Sequence, residues 1–134
     1  MRYLGIDYGT KRIGVAVSDD DGTIAFPKGV FENKSETAAI RMIIALAKKE
    51  KAEVIVVGLP IAMNQKDTKQ TRITREFIAT LGKKTKTPVR VASEILTTHS
   101  ARESAGSSGH HDASAAALIL QSYLDGLPPR HSEW

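Results

Sequence analysis

Three acids carry the chemistry that this sequence suggests. Asp7 closes the stretch Tyr3-Leu4-Gly5-Ile6-Asp7, Glu94 follows Val89-Arg90-Val91-Ala92, and Asp112 opens the last amphipathic segment. An acid at the end of an apolar strand, right after a buried Ile, has little reason to stand there unless it is used. Each acid also has a plain structural explanation. Asp is common in turns, Glu at surfaces, and Asp at helix caps. A capping carboxylate still keeps its second oxygen free for a ligand. Three carboxylates brought to one place repel each other unless a cation compensates them. Hard oxygen donors select Mg²⁺ or Mn²⁺, and Mg²⁺ fills its shell with waters and phosphate oxygens. Two such ions about 3.5–4 Å apart can activate water and stabilise the leaving oxygen of a phosphodiester. Asp7, Glu94 and Asp112 are therefore the expected catalytic and metal-holding residues.

Cations surround the first acid. After Gly9, Thr10 offers a hydroxyl and Lys11 or Arg12 a charge for a neighbouring phosphate. An ordinary charged turn explains them equally well. Lys66, Lys69, Arg72 and Arg75 could track a nucleic-acid backbone or simply form a solvated helix face. Of these, Lys69 and Arg72 are the expected contacts. Lys83, Lys84 and Lys86 read as a solvated helix end. His110 and His111 are adjacent, so both cannot point the same way; one could approach a scissile phosphate beside Asp112, and a flexible loop histidine is the more common case.

The elements that must position these groups follow from periodicity. Residues 3–7 form a short strand, and Ile13, Val15 and Val17 alternate as a second. Asp19-Asp20-Asp21-Gly22 is a hairpin turn, and a third strand runs through Ile24–Phe31. Pro27 cannot donate to a ladder, so that strand belongs at a sheet edge. Helical spacing of Ala39, Met42, Ile43 and Leu46 predicts a helix over 36–50, with Lys48 and Lys49 at the end its dipole favours. Val54-Ile55-Val56-Val57 reads as a strand buried on both faces. A loop at 61–67 precedes a helix from Thr68 to Leu81, with Ile73, Phe77 and Leu81 inward. A strand at 89–92, a short helix at 97–104, a mobile Gly/Ser stretch at 105–109 and a helix at 112–125 complete the chain. On that last helix Ala116, Ile119 and Tyr123 face inward, with Asp112 one turn before Ala116. The right-handed crossover rule places strands four and five beside strand one, away from strands two and three. The expected architecture is α/β, a mixed five-stranded sheet of order 3-2-1-4-5 with helices packed on it. Asp7 and Glu94 then leave the same carboxyl edge, where open α/β sheets bind ligands.

Composition narrows the function classes. The 134 residues form one domain, expected to span 1–127 with a tail at 128–134. The absence of Cys excludes zinc-thiolate sites, iron-sulfur clusters and thiol nucleophiles. No apolar run approaches the roughly 18 residues of a membrane span, and no signal peptide is expected. A cytoplasmic protein with no membrane partner is the expectation. The net charge of +4 leans toward a polyanionic partner, although plain solubility explains it equally.

Four ordered stretches carry a family resemblance. They are Gly5-Ile6-Asp7-Tyr8-Gly9-Thr10-Lys11-Arg12-Ile13-Gly14-Val15-Ala16, Val57-Gly58-Leu59-Pro60 with Met63-Asn64, Glu94 with Thr97-Thr98, and Asp112 with Ala115-Ala116, Ile119-Leu120-Gln121 and Tyr123-Leu124. Together they resemble the YqgF (RuvX) family of small bacterial ribonuclease H-like proteins. The resemblance implies a ribonuclease H-like fold and a divalent-metal nuclease, with the family's acids at Asp7, Glu94 and Asp112. It implies processing of the 5′ end of pre-16S rRNA, or resolution of Holliday junctions in branched DNA. A junction is nearly two-fold symmetric, so a resolvase would be a homodimer. Two departures stand out. Ser93 and Ile95 flank Glu94 where the family usually has Asp-Glu-Arg, and Gly106-Ser107-Ser108-Gly109-His110-His111 replaces a loop often rich in Lys and Arg. They keep open a catalytically weak, RNA-binding role in ribosome maturation. Asp-x-Gly-Thr also opens the phosphate hairpin of sugar kinases and actin-like ATPases, which need two such domains where this chain holds one. RNA and DNA present the same phosphates, and no base-reading group is identifiable.

Overall fold

A computed structural model describes residues 1–95 and 110–128 of the chain. Its strands are β1 (Tyr3–Tyr8), β2 (Arg12–Ser18), β3 (Ala25–Glu32), β4 (Val54–Ile61) and β5 (Val89–Ile95). Its helices are α1 (Glu36–Lys49), α2 (Lys69–Lys84) and α3 (His110–Asp125). The sheet order is β3-β2-β1-β4-β5, as the crossover rule requires. β1, β4 and β5 are parallel, while β2 runs antiparallel to β1 and to β3. Pro27 lies on the edge strand β3, opposite Ala16, beside a register shift between Val15 and Ala16. The helix expected at 97–104, the Gly/Ser stretch and residues 129–134 lie outside the described residues.

Alternation along the strands separates two cores. Leu4, Ile6, Ile13, Val15, Ile55 and Val57 face α1 and α2. Ala16, Val54, Val56 and Ala92 face α3. The first acidic turn is structural: the Asp19 carboxylate accepts the Thr23 and Ile24 N–H groups at 2.8 and 3.1 Å and the Thr23 hydroxyl at 2.8 Å. These bonds favour the charged form and lower its pKa to about 2.

The buried stripes of all three helices differ from expectation. In α2 the buried residues are Thr71, Thr74, Phe77 and Leu81, whereas Ile73 is half-buried. The Thr71 hydroxyl donates to the Pro60 carbonyl, and Gln70 donates to the Thr74 hydroxyl at 3.2 Å. Satisfied hydroxyls go inside, and the helix rotates accordingly. In α1, Ile40 and Ala47 are buried, while Met42 and Leu46 are half-buried against the same core. In α3, Ala113, Leu120 and Leu124 join Ala116 and Ile119 inside, and Tyr123 is half-buried with its ring 6.0 Å from that of Tyr3.

Candidate active site

β1, β4 and β5 end at one edge, and pleating decides which acids share a face. Leu4 and Ile6 point toward α1 and α2, so Gly5 and Asp7 take the α3 side. Ala92 belongs to the α3 core, and Glu94, two residues on, takes the same side. β4 lies between them. Its Gly58 pairs with Ala92 and stands one step beyond the Ile6–Val57 pair, so it is the floor beside Asp7. A Cβ there would lie 2.6 Å from the Ile119 Cδ1 atom. Glu94 is half-buried, and its carboxyl is pushed up first by burial and then by the Asp7 charge. The two sequence-distant acids therefore sense each other across β4, whose Gly58 presents no side chain beside Asp7.

α3 runs antiparallel to β1. Tyr123 meets Tyr3, and Ala116 and Leu120 lie over Gly5. The helix rises about 1.5 Å per residue and the strand about 3.3 Å. One helical turn before Ala116 and two strand residues past Gly5 are thus the same level. That register carries the first turn of α3, with Asp112 on its backbone, to the level of Asp7. The side chains of His110, His111 and Asp112 lie outside the described part of the structure. Among the described residues no three acids or histidines form a cluster that could hold a metal.

The β1–β2 turn is held from outside. Gly9 N–H donates to the Arg12 carbonyl at 3.0 Å, and Asn33 clamps both strands of the turn. The Asn33 side-chain amide donates to the Gly9 carbonyl at 2.7 Å, and its backbone N–H donates to the Lys11 carbonyl at 2.9 Å. A Cβ on Gly9 would stand 2.6 Å from the Arg12 carbonyl oxygen, so glycine is required by the turn itself. Thr10, Lys11 and Arg12 project from it, exposed. Tyr8 stacks on Phe77 with ring centroids 3.8 Å apart, and Gln70 donates to the Tyr8 carbonyl at 3.3 Å. The start of α2 is thereby tied to the end of β1.

Lys69 and Arg72 are exposed in the first turns of α2. Arg75 is paired with Asp67, which lowers the Asp67 carboxyl and raises the Arg75 guanidinium. The structure therefore distinguishes Arg75 from the two expected phosphate contacts. Asn33, Gln70 and Thr71 escaped sequence reasoning as positioning groups. Only the Thr68-x-x-Thr71 spacing offered a signal, since Thr68 and Thr71 form a reciprocal cap.

The donor set suits a hard divalent cation. Asp7 and Glu94 are oxygen donors whose mutual repulsion a cation would relieve, and no softer donor is described beside them.

This sheet order, with parallel β1, β4 and β5 and acids at their carboxyl edge, is the ribonuclease H-like fold of RuvC-like resolvases. Solved structures with that fold include RuvC of Thermus thermophilus, at TM-score 0.56 and 13% identity over 92% of this chain and 94% of that one. Another is the fowlpox virus Holliday junction resolvase, at TM-score 0.55 and 14% identity, covering 95% and 100%. Within that class, the family model described as "RuvX: Holliday junction resolvase" matches residues 1–126, and the chain belongs to this family of nucleases. A relative from Nitratidesulfovibrio vulgaris is 41% identical over 133 residues, 93% of this chain and 94% of its own. One from an Anaeromyxobacter species is 38% identical, covering 94% and 98%. Both carry the name "Putative pre-16S rRNA nuclease". Among the described residues no helix is long and apolar enough to cross a membrane.

Proposed function

We propose that this protein is a divalent-metal-dependent endonuclease that processes the 5′ end of pre-16S rRNA in the cytoplasm. The observation that carries the reading is the electrostatic coupling of Glu94 to Asp7 at the edge where three parallel strands end. Asp7, Glu94 and Asp112 would hold Mg²⁺ or Mn²⁺. When bound, the ion would supply Lewis acidity toward water and the phosphodiester. The chain's own residues do the rest. Asp7 and Glu94 present oxygen donors from rigid strands. Thr10, Lys11 and Arg12, fixed by the Asn33 clamp, meet the phosphates on one side of the edge. Lys69 and Arg72 meet them from the start of α2, which Gln70 holds against Tyr8. The names of the relatives favour pre-16S rRNA as substrate.

The family description favours a second reading, resolution of Holliday junctions by a homodimer. One structural neighbour is T. thermophilus RuvC in complex with a Holliday junction substrate, at TM-score 0.55 and 14% identity. A cleavage panel of pre-16S rRNA fragments and four-way junctions with Mn²⁺, run beside light scattering, separates the two. Cleavage of the rRNA by a monomer supports the first reading. Cleavage of the junction alone, by a dimer, replaces it with the second.

A further inference from the structure

The sheet edge opposite the acids carries a lysine cluster that the nuclease reading does not use. α1 ends at Lys49 and β4 starts at Val54; α2 ends at Lys84 and β5 starts at Val89. Both helix ends therefore reach the amino edge of two neighbouring strands. They also share one apolar cluster, in which Ala47 and Leu81 are buried with Ala52 and Val89 against them. Around it stand Lys48, Lys49, Lys51, Lys83, Lys84 and Lys86, all exposed. None of the six side chains has an ion pair or hydrogen bond among the described residues. Glu50 is held by Arg2 at 3.2 Å and by Lys28 at 2.9 Å and also feels the Lys49 charge, and Glu53 is the other acid of the two connecting loops. The formal charge of the chain is +4, and four minus six is −2, so these lysines account for the whole basic excess.

Helix-dipole compensation explains lysines in a last turn, and it covers Lys48, Lys49, Lys83 and Lys84. It does not explain Lys51. That residue has φ 56°, the left-handed region that favours glycine. It occupies the glycine position of a helix-ending motif, with Lys51 N–H bonded to the Lys48 carbonyl at 3.1 Å and Ala52 N–H to the Ala47 carbonyl at 2.8 Å. A lysine in this left-handed position, where glycine fits best, points to a use for its charge.

We infer that this lysine rim docks a helical arm of the structured RNA whose single-stranded part reaches Asp7 and Glu94. The proposal rests on the pre-16S rRNA reading for its substrate. The eight residues of β4 separate rim from acids by about 23 Å at about 3.3 Å per step, so a folded RNA reaches both while a short single strand reaches one. A lysine ammonium is a compact point charge on a flexible stem, and a cluster of them suits an arm held by its phosphate backbone.

Binding measured in EDTA tests this without requiring turnover. Fluorescence anisotropy would compare a stem-bearing precursor RNA with a short single-stranded RNA, for the wild type, Lys51→Gly and the variant with all six lysines changed to Gln. For the stemmed RNA the six-lysine variant should bind about tenfold or more weakly. Its dependence of log K on log salt should flatten by roughly 0.7–0.9 for each phosphate that is no longer neutralised. The short RNA should bind unchanged. Lys51→Gly should raise the Tm and still weaken the stemmed RNA, a combination that damage to folding cannot produce. Unchanged affinity for the stemmed RNA, or equal loss on both RNAs, would overturn the docking surface while leaving the nuclease reading standing. Intact docking beside absent cleavage would do the reverse.

Discussion

Gly5→Ala probes how closely α3 must lie on β1 for the site to exist. A Cβ at Gly5 would stand 2.8 Å from the Leu120 Cβ and 3.2 Å from the Ala116 carbonyl oxygen. Ordinary contact begins at 3.4 Å, so the nearer atom is about 0.6 Å too close. Neither obstacle can rotate away: one is a backbone oxygen and the other is fixed to the helix by its Cα. The helix must therefore lift, and its first turn, which carries Asp112, lifts with it. Overpacking of this kind costs about 1–3 kcal/mol. A site needs its groups within about 0.5 Å, and a displacement of ~1 Å can cost on the order of 100-fold in rate. We expect Gly5→Ala to lower stability by about 1–3 kcal/mol in urea melts. Single-turnover cleavage should fall by roughly 10–100-fold at a temperature where the variant is fully folded. Gly82→Ala is the control: it sits in α2 with nothing within 4 Å, and should gain about 0.5–1 kcal/mol without changing cleavage. A folded Gly5→Ala protein that cleaves at the wild-type rate would refute the claim that this helix contact sets the site.

Glu94→Gln should stabilise the metal-free protein at pH 7. Glu94 has a folded-state pKa raised above its ordinary 4.5, so folding takes up a proton between 4.5 and the raised value. Wild-type stability should fall as pH rises through that window, and the advantage of the Gln variant should shrink toward pH 4.5. Melting in EDTA across pH checks this, and an advantage independent of pH would contradict it. Asn33→Ala removes the side-chain hydrogen bond donated to the Gly9 carbonyl and should cost about 1 kcal/mol, with a larger effect on KM than on kcat. An unchanged KM would separate the clamp from substrate binding. Lys69→Ala with Arg72→Ala should flatten the salt dependence of binding to a short RNA by about 0.7 for each phosphate released, read by anisotropy. Arg75→Ala, already paired with Asp67, should leave that slope nearly unchanged.

The parts of the fold that depend on period and handedness were legible. Alternation in β2, the continuous apolar run in β4, Pro27 and the crossover rule together sufficed for the sheet order. Placing Asp7 and Glu94 at one edge required only the strand ends. Hydropathy misjudged the buried face of α2, because Thr71 and Thr74 satisfy their hydroxyls inside while Ile73 is half-buried. Gly5 and Gly58 carry no hydropathy at all, yet their missing side chains let α3 descend onto the sheet. The clamps were beyond reach for a different reason. Asn33 bonds Gly9 and Gln70 bonds Tyr8 over separations of 24 and 62 residues, and local spacing holds no trace of such pairs. The electrostatic state of Glu94 likewise depends on burial and on a charge brought from the other end of the chain.

The most direct test is a crystal soaked in Mn²⁺ and examined by anomalous scattering at the carboxyl edge of β1, β4 and β5. An ion is expected within about 2.0–2.2 Å of carboxylate oxygens of Asp7, Glu94 and Asp112, lost in Asp7→Asn together with cleavage. Crystals of cleavage-competent protein in which the three carboxylates diverge, with no anomalous peak between them, would contradict it.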